Sequence, residues 1–231
     1  GQRLPIRELA ALCRRKKICF IVDAAQGAGL FPLNIKDGIN IICTAGHKGL
    51  YGPMGTGLML TDGKFQLGSL MEGGTGSASE SLEQPDFLPD RFESGTINTP
   101  GAIALGAGVA FVAQRTPERI LAHETALCRS FCSQLRRIPG IRVYSTIDDQ
   151  PELYAPVVSF AVDGVPSAEA TLELSRMGFY MRGGLHCAPL AHKKLGTLEE
   201  GTVRFAPSAF TTNDEVNALV RTLRANNWKK N

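Results

Sequence analysis

Cys43-Thr44-Ala45-Gly46-His47-Lys48-Gly49-Leu50-Tyr51-Gly52-Pro53-Met54-Gly55-Thr56-Gly57 sets one lysine in a glycine-dense turn between two short apolar runs. The flanks, Ile39–Cys43 and Gly57–Leu60, have the length and branching of buried strands. Lys48 is therefore expected where a strand ends. Five glycines and a proline fall within residues 46–57, which lets the backbone take positive φ and approach a ligand closely. Alone, a Lys-Gly pair is an exposed lysine on a tight turn. A second segment argues for more: Ile18–Val22 runs as an apolar strand straight into Asp23. Ligands of open α/β sheets gather beyond the carboxyl ends of the strands, so Asp23 and Lys48 are expected on one sheet edge. A carboxylate able to keep a ring nitrogen protonated, beside an imine-forming amine, is what pyridoxal phosphate chemistry asks of a protein.

Four blocks then agree in order and spacing with a known family: Val22-Asp23-Ala24-Ala25-Gln26, Gly46-His47-Lys48 with Tyr51-Gly52-Pro53, Arg91-Phe92-Glu93-Ser94-Gly95-Thr96, and Arg182-Gly183-Gly184-Leu185-His186-Cys187-Ala188-Pro189. The chain resembles the cysteine desulfurases, pyridoxal phosphate enzymes of the class V aminotransferase group, and matches the C-terminal part of a family member. The resemblance implies an α/β chain of fold type I. An incomplete large α/β domain (residues 1–115) is expected to precede a small α+β domain (116–231).

The 231 residues suffice for a full core. A net charge of +3 without a long basic run argues against a nucleic-acid surface. No apolar stretch reaches membrane-spanning length and nothing at the N-terminus resembles a signal peptide, so a soluble, cytoplasmic protein is the expectation. The six cysteines form no CxxC pair and no zinc-spaced cluster, so no metal site is expected. Cys128 and Cys132 share a helix face and read as small buried apolar groups. Cys187 differs, following His186 in a loop led by glycines and closed by a proline.

In chain order, Pro5 opens an amphipathic helix ending in the cations 14–17, which feeds the Asp23 strand. Only three strands precede a change of pattern, too few for a doubly wound sheet, and no separate glycine-rich phosphate cradle lies upstream. The sequence therefore reads as a fragment of a larger cofactor domain. Residues 66–99 form a long Gly/Ser/Glu/Pro-rich connection, read either as a surface loop or as functional. A small-residue helix over 102–113 is expected to be buried, and Thr116-Pro117 to start a helix running to about Ile138. Strands are predicted at 141–144, 156–162, 179–182 and 202–206, with helices at 167–177 and from 213, the last carrying capping-box spacing at Thr212 and Glu215.

Residue by residue, the resemblance implies that Lys48 binds the cofactor and serves as catalytic base, that Asp23 pairs with the pyridine nitrogen, and that Gln26 bonds the ring oxygen. It implies His47 at the phosphate, where Ala45 replaces a hydroxyl residue common in the family, and Thr96 at the phosphate of a partner subunit in a homodimer. Cys187 matches the nucleophile that leaves with the substrate sulfur, to be collected by a sulfur-acceptor protein. Arg204, on an otherwise apolar strand, needs an anionic partner. A substrate carboxylate or an internal ion pair would serve, and the family uses its matching arginine for the carboxylate. Arg182, close to the cysteine loop, is expected to support substrate or thiolate, and His186 joins it as a substrate-binding residue. The expected reaction turns L-cysteine into L-alanine. A selenocysteine lyase, a class V aminotransferase acting on another amino acid, and a non-catalytic interaction module are the competing readings.

Overall fold

The computed structural model describes residues 1–226 and 228. They separate into two compact units, one of Pro5–Pro117 and one of Gly1–Leu4 with the chain from Glu118 onward. The N-terminal residues join the latter through backbone bonds, Arg3 N–H to the Leu153 carbonyl at 2.8 Å and Ala155 N–H to the Gly1 carbonyl at 2.7 Å.

In the Pro5–Pro117 unit, α1 (Ile6–Lys16) ends at Lys17, a left-handed residue whose N–H closes onto the last turn. Strands β1 (Ile21–Asp23), β2 (Ile41–Ala45) and β3 (Gly57–Thr61) form one sheet in that order, β1 parallel and β3 antiparallel to β2. Asn40 fixes where two strands begin to pair: its side chain accepts from Phe20 N–H and donates to Asp62. The first strand begins later than expected, at Ile21, and ends at Asp23 as expected. Ile39, Ile42, Val22 and Ala24 make a small core with Ile6, Phe20, Ala28 and Leu33 against it. The expectation that β3 is buried is corrected, because Leu58, Met59 and Leu60 are each more than 40% exposed. The helix α2 (Thr99–Arg115), capped by the Asn98 side chain, buries only the stripe Gly101, Leu105, Gly108 and Val112. Ile103 and Val109 on its other faces are open, so the wholly buried helix expected here is a one-sided one.

In the other unit, β4 (Ile141–Val143), β5 (Val158–Val162), β6 (Arg182–Gly184) and β7 (Thr202–Phe205) form an antiparallel sheet ordered β4-β5-β7-β6. Helices α3 (Pro117–Leu135), α4 (Ser167–Arg176), α5 (Pro189–Leu195) and α6 (Asn213–Ala225) complete it. Among the described residues its core holds 18 buried ones, centred on Phe131, which meets Phe160 edge-on at 5.9 Å and Phe205 at 4.5 Å between centroids. The differences from expectation are local, the larger ones being these. The helix from Pro117 stops at Leu135, the strand expected at 179–182 lies at 182–184, β5 begins at Val158 rather than 156, and α5 carries no sequence signal strong enough to be predicted. The capping box at Thr212 and Glu215 is present. Cys128 and Cys132 are fully buried on α3. Burial, then the hydrogen bond to Asp148, pushes the Cys132 thiol up to about 12, and burial likewise raises Cys128. Both are poor thiolates.

Candidate active site in two parts

The lysine loop is built by glycine. Residues 46–56 leave β2 and return as β3, closed by Gly46 N–H to the Thr56 carbonyl and Gly52 N–H to the Gly46 carbonyl, both 2.8 Å. At Gly108 of α2, a Cβ would strike the Leu50 carbonyl and the Tyr51 backbone, so only glycine lets the helix pass this close. Tyr51, at φ +54°, sets its ring edge-on against Phe111 of the same helix at 5.0 Å. On the opposite side Gly49 lies against the Ala28 carbonyl, and a Cβ on Gly29 would overlap Gly49. The turn that follows Asp23 is thereby packed backbone to backbone on the turn that carries Lys48.

The parallel register pairs Asp23 with Cys43, so the carboxylate and the lysine loop leave the same end of the sheet, as the sequence predicts. Asp23 is exposed, and its Oδ1 accepts from Ala25 N–H at 2.9 Å. Lys48 is half-buried, while His47 and Gln26 are exposed. The Thr44 hydroxyl, beside the departure at Ala45, donates to the Ala45 carbonyl at 3.4 Å. Thr96 is exposed between Gly95, at φ +79°, and Ile97, and no hydrogen bond joins it to Asp23 or Lys48. The connection before it is tied rather than loose. Gln84 donates to the Asp90 and Glu93 carbonyls and accepts from Gly73 N–H, and Gly95 N–H bonds to the Gly74 carbonyl.

The cysteine loop joins β6 to β7 through α5. Arg182 stands directly across from Arg204, and Ser159 pairs with Arg204 on the other side. Like charges opposed on a sheet repel. Burial lowers the Arg204 guanidinium and Arg182 adds to the effect, which the nearby Cys187 partly offsets. No carboxylate answers the charge: Arg204 Nε is buried without a partner. The internal ion pair weighed as an alternative is therefore absent among the described residues.

His186 and Cys187 both take left-handed backbone, at φ +51° and +61°, unusual for residues with a Cβ. The histidine is held by Nε2, 2.9 Å from the Thr202 carbonyl, and by its ring against His192 at 5.9 Å between centroids. Burial pushes its imidazole below the ordinary value, opposed by the Thr202 bond and reinforced by Arg204, His192 and Arg182. Cys187 is exposed. At the base of the loop, buried Ser167 donates to the Glu200 carbonyl at 2.6 Å and accepts from Gly184 N–H at 3.1 Å, clasping both ends together. Sequence reasoning passed over Ser167 and Thr202. Nothing local marks Ser167, whereas Thr202 lies two residues before Arg204 and so on the same strand face.

The candidate residues thus form two groups. Asp23, Gln26, His47 and Lys48 gather at one sheet end of the Pro5–Pro117 unit, while Arg182, His186, Cys187 and Arg204 gather on β6, β7 and their connection in the other.

Solved structures share this architecture. A cysteine desulfurase of Thermococcus onnurineus superposes with a TM-score of 0.82 at 28% identity, over 97% of this chain and 56% of that one. A cysteine desulfurase of Escherichia coli superposes with a TM-score of 0.83 over 96% and 55%, its 24% identity speaking for the fold alone. The fold is part of fold type I of the pyridoxal phosphate-dependent transferases. Residues 1–219 match the class V aminotransferase family, and the chain belongs to it. It is similar to a probable cysteine desulfurase of Methanothermobacter thermautotrophicus, 31% identical over 94% of this chain and 55% of that protein. Another, of Mycolicibacterium paratuberculosis, is 30% identical over 97% of this chain and 32% of its own length. The chain therefore spans about half of such relatives, or less. Among the described residues, no helix is long and apolar enough to cross a membrane.

Proposed function

We propose that the chain is the C-terminal part of a pyridoxal phosphate-dependent cysteine desulfurase that converts L-cysteine to L-alanine and collects the sulfur on Cys187. The observation that carries this reading is the exposed Cys187 on a left-handed loop, within electrostatic reach of a half-buried arginine whose buried Nε has no partner among the described residues.

The residues fit the cofactor. One Asp23 oxygen is occupied by Ala25 N–H, which fixes the carboxylate and leaves the other oxygen to pair with a pyridinium nitrogen. Lys48, on a loop braced from two sides, supplies the amine that holds the cofactor, with Gln26 and His47 beside it. Thr96, presented on an exposed and tied segment, suits the phosphate of a second subunit in a homodimer. When bound, pyridoxal phosphate acts as the electron sink that makes the substrate Cα–H acidic and the Cβ–S bond breakable.

Arg204 takes the substrate carboxylate, a planar two-bond partner that relieves its orphaned Nε, and Arg182 and His186 line the same position. Lys48 moves the proton at Cα. The Cys187 thiolate attacks the substrate sulfur. An S–S bond forms as the C–S bond breaks, the electron pair of the latter leaves with carbon, and protonation of that carbon gives alanine. Cys187 remains as a persulfide, and its exposure lets a sulfur-acceptor protein reach it.

Replacing Cys187 with alanine in the full-length protein tests the reading. The variant should keep the yellow colour of the bound cofactor and lose alanine release by at least about a thousandfold, as when a nucleophile is removed. Selenocysteine turnover should fall less, because the weaker carbon–selenium bond breaks with less assistance. Unchanged desulfuration of cysteine would make Cys187 structural and hand the function to a lyase or another class V aminotransferase.

A further inference from the structure

Three buried polar atoms without a partner among the described residues fall on β7 and the loop bonded to it: Arg204 Nε, Thr202 Oγ1 and His186 Nδ1. Each is buried, and burying a polar group without a partner is costly. Thr202 is the most enclosed, 1% exposed. Strand alternation sends Val203 and Phe205 into the core and Thr202 and Arg204 to the other face, about 7 Å apart along the strand. His186 is tied to the same residue, because its Nε2 lies 2.9 Å from the Thr202 carbonyl.

The chemistry of the three atoms defines a ligand. A carbonyl oxygen accepts, so His186 Nε2 carries the hydrogen and Nδ1 of the neutral ring presents a lone pair. The charges facing this ring come from Arg204 on β7, Arg182 on β6 and His192 on α5, with Cys187 adjacent, and the cations among them disfavour a proton on Nδ1. Arg204 Nε only donates, and a hydroxyl does both. The set asks for one small molecule with an anionic acceptor for the guanidinium and an N–H donor for the imidazole, which describes an α-amino acid. Thr202 stands beside the arginine with its hydroxyl free to donate.

We propose that Thr202 is a substrate-binding residue whose hydroxyl donates to the carboxylate held by Arg204. The proposal rests on the carboxylate role given to Arg204 above. It accounts for a buried hydroxyl that the protein itself leaves without a partner.

Thr202→Val keeps shape and burial and removes only the hydroxyl. Its effects on stability and on binding are expected to have opposite signs. Removing an unpartnered buried hydroxyl leaves the melting temperature unchanged or raises it, whereas removing a ligand contact weakens binding. In the full-length, cofactor-loaded protein, the dissociation constant of L-alanine, measured by calorimetry, should rise about five- to tenfold in Thr202→Val. Thr202→Ser, which keeps the hydroxyl, should restore it, and cofactor retention should not change in either variant. A fall in melting temperature in Thr202→Val would mean that the hydroxyl has a structural partner and would overturn the proposal. Unchanged L-alanine affinity in Thr202→Val, with affinity lost in Arg204→Lys, would remove Thr202 from the site and leave the arginine in it. If neither variant weakens L-alanine, the carboxylate assignment itself falls.

Discussion

The lysine loop and the cysteine loop meet the demands of a reactive side chain in opposite ways. Around Lys48 the constraint is backbone packing, with glycines at 29, 49 and 108 allowing two turns and a helix to come within contact of one another. No buried side-chain nitrogen or oxygen of residues 5–117 lacks a partner. Around Cys187 the arrangement is electrostatically incomplete, with two arginines opposed, a histidine and a cysteine in left-handed conformation, and three polar atoms unanswered. The first loop leaves no buried side-chain nitrogen or oxygen unpartnered, whereas the second leaves three. Their settings differ in the same direction. The cysteine loop rises from a sheet over a core of 18 buried residues among those described, which can sustain local strain, while the lysine loop packs on Leu105 of α2 beside a four-residue core cluster and a sheet whose third strand is open.

The difference in cores sets the largest expected effect. Phe131→Ala removes a fully buried ring at the centre of the larger core and should cost about 3–5 kcal/mol. Leu60→Ala, on the open face of β3, should stay within about 0.5 kcal/mol in the 231-residue chain. Denaturant titration of both variants checks the pair. A Leu60 cost near that of Phe131 would mean that the β3 face is covered in solution and that the contrast between the two cores is false.

The difference in loops predicts a division of labour. Arg204→Lys keeps the charge and loses the planar fork, so amino-acid affinity should fall about tenfold or more while cofactor retention holds. Asp23→Asn should do the reverse, weakening the cofactor with a smaller effect on amino-acid affinity. Titration with L-cysteine and release of the cofactor on dialysis, measured on the full-length protein, separate the two. Equal amino-acid affinity in wild type and Arg204→Lys would break the assignment.

How much of this was legible in the sequence follows the same division. The lysine loop could be read because its signals are local: an apolar run, an acid, a dense set of glycines. That Asp23 and the lysine loop share one sheet edge follows once both runs are neighbouring parallel strands, and the register then pairs Asp23 with Cys43. The burial of β3 and α2 was overestimated because apolar composition reports what a segment is able to bury, not what is present to cover it. In the cysteine loop, Arg204 was recognisable as a charge in an apolar strand. Its opposition to Arg182 is a register fact, and the predicted strand at 179–182 sat two to three residues early. The clasp by Ser167 joins residues 17 and 33 positions away, which no local pattern encodes.

The smallest expected effect concerns pH and probes the unfinished character of the cysteine loop. His186 has a folded-state value below its ordinary 6.5, chiefly from burial. A group whose value is depressed on folding contributes stability above its unfolded value and loses it as pH falls through the folded one, because the unfolded chain then binds the extra proton. Between pH 7.5 and 5.5 the wild type should therefore lose stability that His186→Asn retains. Asparagine is chosen because it tolerates the left-handed backbone at this position. The ring is only partly buried and solvent screens the surrounding charges, so the difference in slope should amount to less than about 1 kcal/mol over that window. Melting temperatures of the two proteins at half-unit steps measure it. Saturating L-alanine should alter the wild-type slope if the amino acid donates to Nδ1, since the neutral ring is then the bound form. Parallel curves for wild type and variant, with and without L-alanine, would show that the His186 proton is not linked to folding or to the ligand.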